Sequence, residues 1–351
     1  MVRHRPPRVA LIIVNWNKWR DTLECLESVF RLDYPEYLTV LVDNGSTNDS
    51  VRRIRQWCER KRLTTSVQRI PTASAESEKR GHLSAGEKIA ALPSSRRLVL
   101  IDTGENLGFA QGNNVAIRYL LRSSWGADFV FLLNNDATID RKCLHHAVAL
   151  AEKSQAGVVG ARILDSQGKK VLFSGDQRRP ELFYMKPWRR NGGRTDSSPS
   201  IQALGSGMLI RREALLAHER QYGCFFNALL FMYGEETEFC LHLLKIGYKI
   251  LVSGQAYVCH KESQSVSATE RKPMHLYYMT RNTIAIARRA FSAGWLVFFH
   301  LIFMPARLRL AFWFLLQGHG KEAGAILQGI RDGYGGHLGK WRHHPLKHSP
   351  A

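Results

Sequence analysis

Acidic residues are the scarce class in this chain: 30 Asp and Glu stand against 50 Lys and Arg, a formal charge of +20. That imbalance favours anionic partners, whether nucleic acid, an anionic membrane surface or a phosphorylated substrate. Cysteine is sparse and unorganised. The six residues at 25, 58, 143, 224, 240 and 259 form no C-x-x-C pair. This argues against a cysteine zinc cluster or a disulfide framework and for a reducing cytoplasm. The basic segment 1–8 is followed by an apolar run, 9–14, too short for the core of a signal peptide, so a cytosolic N-terminus is expected. Glycine-rich phosphate loops are missing as well. The turn after the first expected strand is Asn15-Trp16-Asn17-Lys18-Trp19, without a glycine, and no G-x-x-x-x-G-K-[ST] occurs. A phosphate bound at such an edge needs another counter-charge, and a divalent cation on a carboxylate supplies one.

What the chain does contain is enough to fold. Its 351 residues are 44% hydrophobic and 10% aromatic, a proportion for one large domain or two. The apolar runs 9–14, 38–42, 98–101 and 129–133 predict strands buried on both faces. Helical spacing between them (23–30, 51–57, 109–121) gives strand–helix alternation and hence an open, mostly parallel α/β sheet. A polar stretch, 66–97, reads as a flexible surface insertion, and 178–200 as a surface loop. Further on, 142–152 and 235–245 read as helices, and 157–163, 204–210 and 248–252 as strands.

In open sheets of this kind ligands bind beyond the carboxyl ends of the strands. Three expected strands end there in polar signatures: Asn15-Trp16-Asn17, Asp43-Asn44-Gly45-Ser46-Thr47 and Asn134-Asn135-Asp136. Asp102 follows a fourth, ahead of Gly104-Glu105-Asn106-Leu107-Gly108-Phe109. Each alone is ordinary turn chemistry. Together at one sheet edge they describe a site.

These motifs, continued by Gly205-Ser206-Gly207, Tyr233-Gly234-Glu235-Glu236-Thr237-Glu238, His260 and Tyr277-Tyr278-Met279-Thr280-Arg281-Asn282, resemble glycosyltransferase family 2. The rhamnosyltransferase-like, cell-wall polysaccharide subgroup is the one they resemble, over about 9–282. The resemblance implies a GT-A fold and a metal-dependent inverting transfer of a sugar, rhamnose in that subgroup, from a nucleotide-diphosphate donor to a glycan or lipid-linked acceptor. It implies that Asn15, Asp43, Asn44, Asn106, Gly108, Asn113 and Asn135 surround the nucleotide and sugar. Asp43 would accept the imide N–H of a pyrimidine, favouring UDP or dTDP. Asp136, the last position of a D-x-D motif whose first acid is here Asn134, would hold Mg²⁺ or Mn²⁺ together with His260. Glu236 would be the general base, with Glu235 as the fallback. Glu238 either orients that base or is a solvated helix residue. Arg281 or the metal would stabilise the leaving diphosphate. Trp16, Trp19 and Tyr233 would stack on a ligand or belong to the core.

The expected organisation is a GT-A domain over 1–270, with a nucleotide-sugar half near 8–140 and an acceptor half near 141–270, followed by a basic helical region, 271–351. That last region has 12 Lys and Arg against Glu322 and Asp332. Its uncharged stretch 291–306, at 16 residues, is shorter than the roughly 20 a bilayer crossing needs. It reads either as an interface-lying segment, placing the protein peripherally at the inner face of the cell membrane, or as a buried hairpin. Two other classes compete. One is a non-catalytic membrane-associated protein with a degenerate fold, against which the acids at 136 and 236 argue. The other is a nucleic-acid binder, against which the dispersal of the basic residues and the lack of a reader motif argue.

Overall fold

Val9, Leu11 and Ile13 point to one side of the first strand while Ala10 and Ile12 point to the other, and all five are buried. That period-two division between two apolar layers organises the sheet. The computed structural model describes residues 5–69, 93–94, 97–176, 197–261 and 268–341. The chain divides into two compact units: Met1–Asn227 with Glu235–Val266, and Ala228–Gly234 with Ser267–Ala351.

The first unit is a three-layer α/β structure. Strands β1 (Val9–Asn15), β2 (Tyr37–Asp43), β3 (Thr64–Arg69), β4 (Arg97–Asp102) and β5 (Phe129–Asn134) run parallel in the order β3-β4-β2-β1-β5. One face carries helices α1 (Trp19–Val29) and α2 (Ser50–Arg60), whose Leu26, Val29, Ile54 and Trp57 pack on Leu11 and Leu41. The other face carries α3 (Gly108–Arg122), with Ala116 and Ile117 against Ile12 and Val40. These pieces match the expected strand–helix alternation.

Beyond β5 the sheet becomes mixed. It continues through β10 (Met208–Arg211), β7 (Val158–Asp165), β11 (Ile250–His260) and β6 (Ala137–Ile139), with β8 (Val171–Phe173) on β7 and β9 (Ser197–Pro199) on β11. Here β10 is antiparallel to both β5 and β7. Helices α4 (Cys143–Ser154), α5 (Arg212–Tyr222) and α6 (Glu235–Lys245) complete the unit. The expected strand at 204–210 shortens to 208–211, because 204–207 is turn, and the one at 248–252 lengthens to His260. Most of the expected insertion and of the 178–200 loop lies outside the described residues; β3 and β4 take up the two ends of the insertion.

The second unit consists of α7 (Ala268–Ala290), α8 (Ala293–Leu316), α9 (Gly320–Gly335) and the segment 228–234. Phe231, Tyr277, Tyr278 and Ala325 form one of its apolar clusters; Ala311, Phe314, Ala323 and Ile326 form another. Helix α8 runs unbroken through Pro305, Arg307 and Arg309 for 24 residues, about 36 Å at 1.5 Å per residue. It is long and apolar enough to cross a membrane by length and composition. Only Phe299, Phe303, Ala311 and Phe314 of this helix are buried, while Val297, Leu301, Phe312 and Trp313 are exposed. A hairpin buried in a core is therefore not what the helix forms.

Candidate active site

The carboxyl ends of β1, β2 and β5 bring three of the sequence signatures together. Asn15, fully buried, donates from Nδ2 to Asp43 Oδ2 at 2.6 Å and to Ser46 Oγ at 3.2 Å. Its Oδ1 accepts from Thr22 Oγ1 at 2.9 Å and from Asn135 Nδ2 at 3.3 Å. Asn44 reaches the neighbouring loop, donating to Asn106 Oδ1 (3.2 Å) and the Gly108 carbonyl (3.1 Å), and its Oδ1 accepts from Leu107 N–H at 3.1 Å. Asn113 donates one helical turn back to the Phe109 carbonyl at 2.9 Å. The loop residues expected around a ligand are thus tied to one another. Thr22, Ser46 and Asn17, whose Oδ1 accepts from Thr47 N–H at 2.8 Å, belong to the same network. Of these only Thr22 was not part of a sequence signature, because a Thr one turn into a helix looks like any other.

Asp43 is enclosed by the same network. Its carboxylate is 0% exposed; Oδ1 accepts from Ser46 N–H at 2.9 Å, and Oδ2 accepts from Asn15 and from Ser46 Oγ at 2.8 Å. Burial raises its pKa, opposed by those hydrogen bonds. So placed, Asp43 braces the loop.

At the end of β5, Asp136 is 6% exposed, and its Oδ1 lies 2.9 Å from His260 Nε2. The register explains the meeting, since β11 pairs with β6 so that His260 faces Ala137. Lys261 locks the pair: its backbone N–H donates to the Asp136 carbonyl at 3.1 Å, and Nζ binds Asp21 (2.8 Å) and Glu24 (2.6 Å) on α1. Asn134 Nδ2 also stands 3.2 Å from His260 Nε2, while Asn134 Oδ1 is buried with no hydrogen-bond partner. One imidazole nitrogen cannot donate to Asp136 and accept from Asn134 at once. A carboxylate oxygen, an imidazole nitrogen and an unmatched amide oxygen so gathered are a donor set that suits a hard or borderline divalent cation. Among the described residues no cluster of three or more His, Cys, Asp or Glu side chains forms a metal cage. The residues present therefore fit a cation whose remaining ligands come from substrate and water.

The candidate base belongs to the same edge. Because β10 is antiparallel to β5, with Met208 opposite Leu132, the turn 204–207 that opens β10 lies where β5 closes. Gly205 N–H donates to Glu236 Oε1 at 3.2 Å. A Cβ on Gly205 would stand 2.8 Å from that oxygen and 2.9 Å from Phe109 Cζ, so only glycine permits the approach. Glu236 is half-buried, whereas Glu235 is 2% exposed and its Oε2 has no hydrogen-bond partner. Burial raises the carboxyl pKa of both, and for Glu235 the adjacent Glu236 charge adds to it. Of the two residues Glu236 is the more exposed. Glu238 is buried, not a solvated helix residue.

Arg281 is enclosed as well. It is 1% exposed, between the rings of Tyr277 and Tyr278 at 5.3 and 4.8 Å. Its Nη1 donates to the Gly339 carbonyl (2.6 Å) and Nη2 to that of Leu230 (2.9 Å). A guanidinium engaged in this way is not held out to a diphosphate.

A family model described as glycosyltransferase like family 2 matches residues 6–278. The chain belongs to glycosyltransferase family 2. The low-salt glycan biosynthesis hexosyltransferase Agl10 of Haloferax volcanii is 28% identical over 295 residues, 81% of this chain and 76% of that one. Among solved structures, the mannosyltransferase PcManGT from Pyrobaculum calidifontis, in complex with GDP-Man and Mn²⁺, aligns with a TM-score of 0.52 at 14% identity, over 94% of this chain and 88% of that one. S. aureus TarS 1-349 in complex with UDP-GlcNAc aligns at 0.51 and 15% identity, over 97% and 95%. At such identities the structural likeness speaks for the fold, which is GT-A. This glycosyltransferase carries the family's ordered motifs on the parallel half of its sheet and on the edge where β10 begins.

Proposed function

We propose that this glycosyltransferase moves a hexosyl group from a nucleoside-diphosphate sugar to a hydroxyl of a glycan or lipid-linked acceptor, with inversion at the anomeric carbon. The observation that carries this reading is the placement of half-buried Glu236, held by Gly205 N–H, on the sheet edge that also holds Asp136 and His260. The Glu236 carboxylate takes the proton of the acceptor hydroxyl. That oxygen bonds to the anomeric carbon from the side opposite the diphosphate, and the sugar–phosphate C–O bond breaks. Asp136 and His260 would hold a divalent cation, with Asn134 Oδ1 as a third donor atom. The chemistry that Mg²⁺ or Mn²⁺ supplies there is neutralisation of diphosphate charge. The network from Asn15 to Asn135, with Asn44, Asn106, Gly108 and Asn113, shapes the walls that receive nucleotide and sugar.

Cell-envelope polysaccharide is the acceptor class and rhamnose the donor sugar that the motif resemblance supports; the hexosyltransferase Agl10, named for glycan biosynthesis, supports a glycan product. UDP or dTDP is the donor nucleotide that the motif resemblance favours. The donor is then read from a panel of UDP-, dTDP- and GDP-sugars; PcManGT in complex with GDP-Man and TarS in complex with UDP-GlcNAc put two of these nucleotides in the fold. An acceptor at a bilayer gives the exposed apolar side chains of α8 and the basic excess of 271–351 a common purpose. Both suit a cytoplasm-facing anionic membrane surface, where each Lys or Arg contributes about 1 kcal/mol.

The deciding experiment is sugar transfer by Asp136→Ala and Glu236→Gln. Both should lose at least about 100-fold in kcat with the thermal transition unchanged. Wild-type turnover in Glu236→Gln would remove the base; wild-type turnover in Asp136→Ala, or in EDTA, would remove the metal.

A further inference from the structure

The segment 228–234 lies between two pieces of the first unit in sequence yet belongs to the second. Its backbone is strained: Phe231 and Tyr233 have φ of 65° and 66°, and Gly234 has 98°. A left-handed conformation costs a non-glycine residue roughly 1–2 kcal/mol, and it persists only where surrounding contacts dictate it. The contacts here come from two consecutive side chains of α7. Asn282 Nδ2 faces three carbonyls, those of Leu230 (3.1 Å), Met232 (2.9 Å) and Tyr233 (2.6 Å). Its Oδ1 accepts from Arg281 Nε at 2.8 Å, and Arg281 Nη2 adds a bond to Leu230 and a long one, 3.4 Å, to Leu229. Gly339 closes the arrangement, its N–H donating to the Leu229 carbonyl at 2.6 Å and its carbonyl accepting from Arg281.

A buried guanidinium that bonds to backbone carbonyls and to an amide is a costly way to satisfy a loop. What the arrangement achieves is a fixed direction for a backbone whose next residues are Glu235 and Glu236. We propose that Arg281 and Asn282 are positioning residues for Glu236: they hold the strained segment 228–234 in the one course that starts α6 with the base correctly aimed. This rests on Glu236 being the base. It assigns the Tyr-Tyr-x-x-Arg-Asn element to the aim of the proton acceptor, not to the donor's diphosphate. Misplacing a reacting group by about 1 Å costs on the order of 100-fold in rate, so an element remote from the chemistry has leverage over kcat.

Asn282→Asp is the informative variant. It keeps the shape and the acceptor for Arg281 Nε, removes both N–H donors, and turns a repelling oxygen toward the three carbonyls. In the full-length protein, kcat for nucleoside-diphosphate release, measured with whichever of the UDP-, dTDP- and GDP-hexoses wild type consumes, should fall on the order of 10- to 100-fold. The donor KM should stay within about twofold, since the proposal leaves donor binding untouched. The acid limb of the kcat–pH profile should move, because Glu236, with Glu235 and Glu238 on its own helix, would sit in altered surroundings. A wild-type kcat overturns the proposal. So does a fall in kcat that only follows the folded fraction and leaves the pH profile in place. Should Asn282→Asp fail to fold, Gly234→Ala displaces the same segment at its last residue, where a Cβ would meet Ile286 Cδ1 at 2.9 Å; the same outcomes apply. Glu236→Gln, run in parallel, separates the two readings. If it stays active, the base assignment fails and this proposal with it. If it is inactive while Asn282→Asp matches wild type, this proposal alone falls.

Discussion

Asp136 Oδ1 and His260 Nε2 stand 2.9 Å apart although 124 positions separate them in the chain. The antiparallel pairing of β6 with β11 brings them there, and Lys261, bound to Asp21 and Glu24, keeps the end of β11 from peeling away. His260→Ala should weaken Mn²⁺ binding at least about tenfold, measured by calorimetry without any sugar donor, while leaving the melting temperature within a few degrees. Equal Mn²⁺ affinity in the variant would exclude His260 as a ligand.

Glu235 makes a prediction about stability, not rate. Burial and the adjacent Glu236 hold its folded-state pKa well above the usual carboxylate value. Over the range between the unfolded and the folded pKa, the unfolded chain binds fewer protons than the folded one. Stability therefore falls as pH rises across that range. Glu235→Gln removes the penalty, so its melting temperature should exceed that of wild type at pH 8, and the gap should close toward pH 4. Scanning calorimetry at several pH values checks this; a variant less stable than wild type at pH 8 would mean that the charge is compensated.

The Asn15 network should behave as a unit. Asn15→Ala strips Asp43 of one donor and removes one of the two acceptors of Thr22 Oγ1 and of Asn135 Nδ2. Loss of about 1–3 kcal/mol in urea denaturation is expected. Donor binding should weaken in parallel, because the loop that begins at Asn44 is no longer anchored. A double variant with Asp43→Asn that recovers part of the loss would show that the buried charge is the costly element.

How much of this was legible beforehand depended on what enforces each element. Strands β1, β2, β4 and β5 are covered on both faces, so they are written as unbroken apolar runs and were read correctly. The three-residue strands β6, β8 and β9 exist by virtue of their partners, and no pattern of their own announces them. The polar Ser253 and Gln255 inside β11 hid its length. At the site, the ordered motifs fall together on one sheet edge. They did not separate an Asn that touches a ligand from one that ties two loops together, because the same amide serves both. Nor does the sequence announce burial: Asp43 and Arg281 read there like exposed charged side chains, yet both are buried.

Helix α8 offers a direct test of membrane association. Shortening the chain before it would also remove α9, whose Gly329 and Gly333 lie against the backbone of α7, and Gly339, so point substitutions are cleaner. Leu301→Gln with Phe312→Gln changes two exposed side chains. Together they should lower partition onto vesicles containing phosphatidylglycerol at least about tenfold, at 1.5–3 kcal/mol for each fully buried apolar side chain. Unchanged partition would take α8 out of the membrane.

The detour of 228–234 into the helical unit bears on synthesis. A ribosome delivers that loop roughly fifty codons ahead of the two side chains that clasp it, a delay of several seconds at ordinary elongation speeds. A still-growing polypeptide can complete its strands and yet have no clasp for the residues leading into Glu236. Competence for chemistry would then wait on the helix that follows, because the two clasping side chains belong to α7.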